Sequence, residues 1–360
     1  MSNNKKITVC LLTCISIVLC IGVFAVAGCK KKDGDNKVIF TTGLGKDEVF
    51  RIGDSICTVP EMMIYLTNTQ NQYENVYGEE IWNTSLNGVT LEQNVKDTVL
   101  EKLAQIKTMY LLAKSKNITL TKEEEERVDE AAESYIKTLN EKEKQLLKAD
   151  KATVSNLYKE YLMAGKVYQE IIKDINPEIS DDEARTITVQ HILFRTYTRD
   201  KAGNKVEYSD EQRREKFVLA SEVQKKAIES PSEFAQLAAE YSDDSNLTYS
   251  FGKGELDPSF EEAAFLLETD EISNVIASES GYHIIKCIST FNKEETDTNK
   301  VKIVEKRRNE AFGREYDLFE QTLARKLNED VWNDIVLIRE KEVVTDRFFE
   351  VFNSYFDMQK

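Results

Sequence analysis

Two histidines in 360 residues, each set in a short run of branched apolar side chains, constrain this chain more than anything else in it. His191 stands in QHILF and His283 in GYHIIK. Such runs favour strand over helix, so each ring belongs to a strand buried on at least one face, close to a partner it can hydrogen-bond. Between them the signals alternate between strand and helix. TITVQHILF reads as a strand, and Ser209 with Gln212 caps a helix running toward Ile228. Ser230-Pro231-Ser232-Glu233 signals a second helix start, with Ser230 as N-cap and Pro231 in the first helical position. Phe234, Leu237, Ala238 and Tyr241 form its buried stripe. Asp257-Pro258 opens a third helix carrying Phe260, Ala264 and Leu267, and GYHIIKCI is the last strand.

Outside this mixed stretch the pattern is helical. An alternating VFRIGDSICTV run, within Val38 to Thr67, suggests a short hairpin leading into a helix. Leu91, Val95, Val99, Leu103, Ile106 and Tyr110 recur at three- and four-residue steps, the stripe of one long helix. Thr121 and Glu124 form a capping box for the next, whose acidic first turn, Glu123 to Glu126, suits the positive end of the helix dipole. A third stripe, Leu157, Tyr161, Val167 and Ile171, lies within Val154 to Ile175, and Pro177 stops it. After Thr290 a polar linker, FNKEETDTNK, leads back into helix over Val301 to Leu327. Asp346 to Phe356 is a final amphipathic helix, rich in aromatics with Phe348, Phe349, Phe352 and Phe356.

The amino terminus sets the expected compartment. Lys5 and Lys6 precede an apolar stretch, Ile7 to Ala27, that ends in Val26-Ala27-Gly28-Cys29. Those four residues resemble a bacterial lipobox, where small residues admit a signal peptidase and the cysteine thiol takes a diacylglyceryl group. A signal peptide is therefore expected at 1–28, lipidation at Cys29, a linker at 29–37, and a body held by its lipid at the extracytoplasmic face of the bacterial cell membrane. The competing reading is an uncleaved anchor, since the stretch is nearly long enough to span a bilayer. Removing residues 1–28 takes out Lys5 and Lys6 and leaves 46 basic against 64 acidic side chains, a net of −18. Such a surface repels nucleic acid and anionic lipid, so no nucleic-acid partner is expected and the lipid does the anchoring. Cys10, Cys14 and Cys20 leave with the signal, and Cys57 and Cys287 are read as two buried free thiols rather than a disulfide framework.

Between the histidines run SPSEFAQLAAEYSDD, FGKGELDPSFEEAAFLL and DEISNVIASESGYHIIK, in that order. Residues 186–290 thereby resemble the parvulin-type peptidyl-prolyl cis–trans isomerases. The resemblance implies a four-stranded sheet with surrounding helices, and a reaction that needs no cofactor and no metal. His191 and His283 match the paired strand histidines whose rings meet across the site. Asp244 stands beside the expected substrate carbonyl, Ser278 and Ser280 match the hydroxyls that complete the polar network, and Leu256 and Phe260 match the floor of the proline pocket, with Phe251 alongside. Zinc is disfavoured, because His191, His283, Asp244 and Cys287 fit no usual ligand spacing. The chain departs from the family pattern where a glycine-rich run is usual. Here Asn246 to Ser250 leads directly to Phe251, and Thr248 falls where an apolar pocket wall is expected, which implies weak activity.

A lipoprotein with a helical region at 38–180, a parvulin domain at 186–290 and a helical tail at 301–360 resembles the extracytoplasmic foldases of the PrsA type. The implied fold is α+β, with the two helical flanks packed as one chaperone-like lobe. The implied partners are unfolded or partly folded secreted polypeptides containing proline. Two alternatives stand beside it: a non-catalytic holdase whose parvulin domain is degenerate, and a solute-binding lipoprotein, against which the missing two-lobed α/β pattern counts.

Overall fold

The computed structural model describes residues 43–86, 88–175 and 178–357. The expected signal peptide at 1–28, Cys29, the linker at 29–37 and the stop at Pro177 lie outside the described residues. The chain folds as two compact units, one made of the chain up to Lys173 and from Asn309 onward, the other of Asp174–Arg308.

In the first unit the alternating run becomes an antiparallel hairpin of β1 (Glu48–Ile52) and β2 (Ser55–Thr58). Thr58 and Glu61 form a capping box at the start of α1 (Val59–Tyr77). The long stripe forms α2 (Leu91–Ser115), with Leu91, Val95, Val99, Leu103 and Ile106 buried and Tyr110 half-buried. α3 (Lys122–Thr138) opens on the Thr121–Glu124 capping box. A short α4 (Glu141–Leu147) precedes α5 (Lys151–Ile172), which buries Leu157, Tyr161 and Val167. Lys107 of α2 is fully buried and binds two carboxylates, Glu160 at 2.8 Å and Glu61 at 3.2 Å.

The second unit runs through α6 (Asp181–Ala184), β3 (Ile187–Arg195), α7 (Asp210–Glu229), α8 (Phe234–Tyr241), β4 (Thr248–Phe251), α9 (Pro258–Leu266), β5 (Ile276–Ser278), β6 (Gly281–Ser289) and the first turns of α10 (Lys293–Glu320). The four strands form one antiparallel sheet in the order β4, β3, β6, β5. Because side chains alternate along a strand, each central strand feeds two cores. Ile192, Phe194 and Ile284 pack with Ala220, Val223, Phe234 and Leu237 of α7 and α8. Ile187, Val189, Ile285 and Cys287 pack with Phe251, Phe260, Ala264 and Leu267 at α9. His191 and His283 share the parity of the second set and so stand on the α9 face. Cys57 and Cys287 are both buried and unbridged.

Four local expectations change. Ser230 does not cap with its side chain; Pro231–Glu233 is a separate tight 3₁₀ turn closed by the Glu233 N–H on the Ser230 carbonyl at 3.0 Å, and α8 starts at Phe234. Ile276–Ser278 is a strand that its three residues were too few to signal. The expected linker is the first part of α10: Asn292 accepts from the Glu295 N–H, and buried Thr296 and Asn299 tie the helix to the Thr186 N–H at 3.1 Å and the Ala184 carbonyl at 3.0 Å. The end of the run expected as helix is instead β7 (Arg325–Leu327), drawn into antiparallel pairing with β1. Beyond it lie α11 (Glu329–Asp334) and α12 (Phe348–Tyr355). Phe348 of α12 is fully buried among Tyr65, Tyr135 and Tyr158, with ring centroids 5.1, 5.2 and 4.6 Å away. The two helical flanks thus share one aromatic core.

Candidate active site

The register of β3 and β6 sets Ile285 opposite His191 and Leu193 opposite His283, so the two histidines are diagonal neighbours on one face. Their rings lie nearly parallel, 19° apart, with Nδ1 facing Nδ1 at 3.3 Å. Both are buried. The tautomers follow from what lies at either end. His191 Nε2 faces the Asn246 carbonyl at 3.0 Å, which can only accept, so that nitrogen carries the proton and His191 Nδ1 is the acceptor. His283 must then donate through Nδ1, which leaves its Nε2 to accept from the Ser278 hydroxyl at 2.8 Å. Ser278 in turn accepts from the Ser280 N–H at 3.0 Å. One direction of hydrogen bonding satisfies both rings in their neutral forms. A proton on His191 would set two N–H groups against each other at the centre, and a proton on His283 would enter at Nε2 and force the Ser278 hydroxyl to turn from donor to acceptor. Burial, with His191 alongside, pushes His283 down to about 4, and burial also lowers His191, against the pull of the Asn246 carbonyl and the Asp244 carboxylate.

Asp244 is half-buried beside this pair, with Oδ2 3.4 Å from His191 Nε2. Burial raises its carboxyl, but the Asn246 N–H at 3.1 Å, the Tyr249 hydroxyl at 2.9 Å, His191 and Arg195 outweigh it, and the group is held below its ordinary range. Phe260 presents its ring edge-on to both imidazoles, 5.6 Å from His191 and 5.1 Å from His283. It is only 4% exposed, and Phe251 behind it 2%. Leu256 is half-buried beside them. Among the residues singled out from sequence, His191, His283, Ser278, Asp244, Phe260 and Leu256 therefore come together through side chains. Ser280 joins through its backbone N–H, in the tight turn that links β5 to β6, and Phe251 sits beneath, in the core.

Three features were not evident from sequence. Tyr249 reaches the site through the alternation of β4, which turns Tyr249 and Phe251 inward and leaves Thr248 exposed; its ring stands edge-on to His191 at 5.1 Å. Asn246 contributes a backbone carbonyl, which residue type does not reveal. Glu261 accepts from three successive N–H groups, Gly254 at 2.8 Å, Glu255 at 2.7 Å and Leu256 at 2.6 Å, and so shapes the loop that carries Leu256. Among the described residues no group of three or more His, Cys, Asp or Glu side chains is arranged to hold a metal ion.

This paired-histidine sheet coincides with a family match. A model described as Rotamase, PPIC-type PPIASE domain, fits residues 191–289. Foldase protein PrsA of Caldanaerobacter subterraneus subsp. tengcongensis is 30% identical over 249 residues, 65% of this chain and 73% of that protein. The chain belongs to the PrsA foldase family. A second PrsA relative, from Staphylococcus aureus, is 32% identical over 200 residues, 51% of this chain and 58% of that protein. Among solved structures, a peptidylprolyl isomerase (PrsA) from Bacillus cereus aligns with 77% of this chain and 98% of its own at 19% identity, with a TM-score of 0.35. This PrsA-family chain is a peptidyl-prolyl cis–trans isomerase of the parvulin type.

Proposed function

We propose that this PrsA-family foldase works at the extracytoplasmic face of the cell membrane, anchored through a lipid on Cys29, and isomerises prolyl bonds in secreted polypeptides at the site built on His191 and His283. Rotation about a prolyl amide must pass a twisted state in which resonance is lost, at a barrier of ~18–20 kcal/mol. No bond to the substrate has to form. The amide needs an apolar seat for the proline ring and a field that disfavours the planar form. The ring of Phe260, with Leu256 beside it, supplies the seat. The planar amide carries more negative charge on its carbonyl oxygen than the twisted one, so a fixed carboxylate near that oxygen, here Asp244, raises the ground state relative to the transition state. The histidines scaffold this arrangement in their neutral forms.

The observation that carries this reading is the unbroken hydrogen-bond path from Ser280 through Ser278, His283 and His191 to Asn246, with Asp244 at its end. It also favours a working enzyme over a holdase with a degenerate site. A protease-coupled isomerisation assay on short proline peptides tests it, with thermal stability measured alongside. Asp244→Ala is expected to lower turnover with the fold kept; a variant as fast as the parent refutes the role of Asp244. Phe260→Ala is expected to weaken substrate binding and also to lower stability, since its buried ring would leave a cavity costing about 3–5 kcal/mol.

The anchoring part rests on Val26-Ala27-Gly28-Cys29. Among the described residues no helix is long and apolar enough to cross a membrane. Mass spectrometry of membrane-extracted protein is expected to find a diacylated Cys29 at the amino terminus. An intact Met1 there refutes it.

A further inference from the structure

Tyr249 touches both Asp244 and the imidazole beside it. Its hydroxyl donates to Asp244 Oδ2 at 2.9 Å, the same oxygen that lies 3.4 Å from His191 Nε2. Its ring stands edge-on to His191 at 5.1 Å. The other oxygen, Oδ1, accepts from the Asn246 N–H at 3.1 Å. The backbone of Tyr249 is fixed in turn, because β4 pairs it with Val189 of β3, two residues before His191. A short carboxylate on a loop has two soft torsions, and without a partner on each oxygen it turns toward water. Here one oxygen is held by the loop and the other by a phenol that the sheet itself places. In the run where a glycine-rich stretch was expected, this chain has instead a strand whose inward residue is an aromatic donor.

We propose that Tyr249 is a positioning residue of the isomerase site: it locks the Asp244 carboxylate against His191 and closes the side of the proline seat that Thr248, turned outward, leaves open. The inference rests on the role given above to Asp244. It makes Tyr249 act through Asp244, so its hydroxyl is worth nothing once that carboxylate is gone. The ring does a separate job, as an apolar wall, and outlasts loss of the hydroxyl.

The test uses the mature full-length chain and four proteins: the parent, Tyr249→Phe, Asp244→Ala and the double variant, each with kcat, KM, a pH–rate profile and a melting temperature. Tyr249→Phe is expected to leave KM unchanged and lower kcat about tenfold, the size of one lost hydrogen bond to a charged group. The acid limb of its profile is expected to move to higher pH, because the carboxylate loses a donor while Asn246, His191, Arg195 and the more distant His283 still face it. In the Asp244→Ala background the same change is expected to do nothing further. Tyr249→Phe with the parent's kcat and acid limb overturns the proposal, as does an equal slowing with and without Asp244. Asp244→Ala at the parent's rate overturns instead the reading beneath it. Should Tyr249→Phe fold poorly, difluorotyrosine at 249 keeps ring and hydroxyl. Its phenol ionises near neutrality and is expected to add a new basic limb; no such limb overturns the proposal.

Discussion

Acidification should weaken this fold through its two histidines before it touches the bulk of its carboxylates. His283 is held neutral, at about 4 against an ordinary 6.5, by burial and by the facing ring of His191. Below 6.5 the unfolded chain takes up a proton that the folded chain refuses, so stability falls as pH drops through 6.5 and levels off below about 4. At about 1.4 kcal/mol for each unit, the whole effect is about 3 kcal/mol, with about 2 kcal/mol gone by pH 5. His191 is lowered in the same direction and adds to the slope. The window from pH 7 to pH 5.5 separates this from the carboxylates, which in the unfolded chain titrate mostly below it. Two measurements check the reasoning. Chemical denaturation across that window should lose less stability in a His283→Gln chain than in the parent. Because the chain has only two histidines, imidazole proton NMR gives two resolvable titrations. A His283 midpoint above 6, or a slope that His283→Gln leaves unchanged, refutes the reading that burial holds His283 neutral.

Three further outcomes follow from packing. Glu261→Ala strands the three N–H groups that shape the Leu256 loop; since two of those residues are exposed to water, a loss of about 1–3 kcal/mol is expected, with KM raised more than kcat is lowered in the peptide assay. Gly281→Ala is expected to cost about 2–4 kcal/mol in a denaturation curve, because the backbone there has φ +141° and a Cβ would come 2.2 Å from the Phe194 carbonyl, two residues before His283. Lys107→Ala leaves Glu61 and Glu160 facing each other without a cation, and denaturation is expected to show a loss of about 3–5 kcal/mol that a Glu160→Gln partner change partly restores.

What could be read from the sequence was local. The Thr121–Glu124 and Ser209–Gln212 boxes are decided within one turn of chain, and both form as read. The strand runs around His191 and His283 are decided by branched side chains at adjacent positions. Once two antiparallel strands pair with one face buried, parity alone puts both rings on that face. Two of the failures needed a distant partner. FNKEETDTNK reads as linker because its helix is fastened by buried Thr296 and Asn299, not by an apolar stripe, and periodicity is blind to that. Arg325–Leu327 carries a helical pattern, but the open edge of β1 offers a ladder that outweighs it.

The same division explains the site. Residue type revealed the members that act through distinctive side chains, His191, His283, Asp244 and Phe260. It was silent on members that act through the backbone, the Asn246 carbonyl and the Ser280 N–H, since any residue supplies those. Tyr249 falls between the two cases. Its phenol is distinctive, but its direction is set by the strand pairing of β4, and a loop in the same place would give Tyr249 and Thr248 equal claim to face the site. Parity decides between them: Phe251 is anchored in the core, and two residues back along an extended strand only Tyr249 can share its face. The residue that completes the carboxylate's surroundings is therefore chosen by a hydrophobic anchor two positions away, and moving that anchor by a single residue would turn Thr248 inward and leave Asp244 without its phenol.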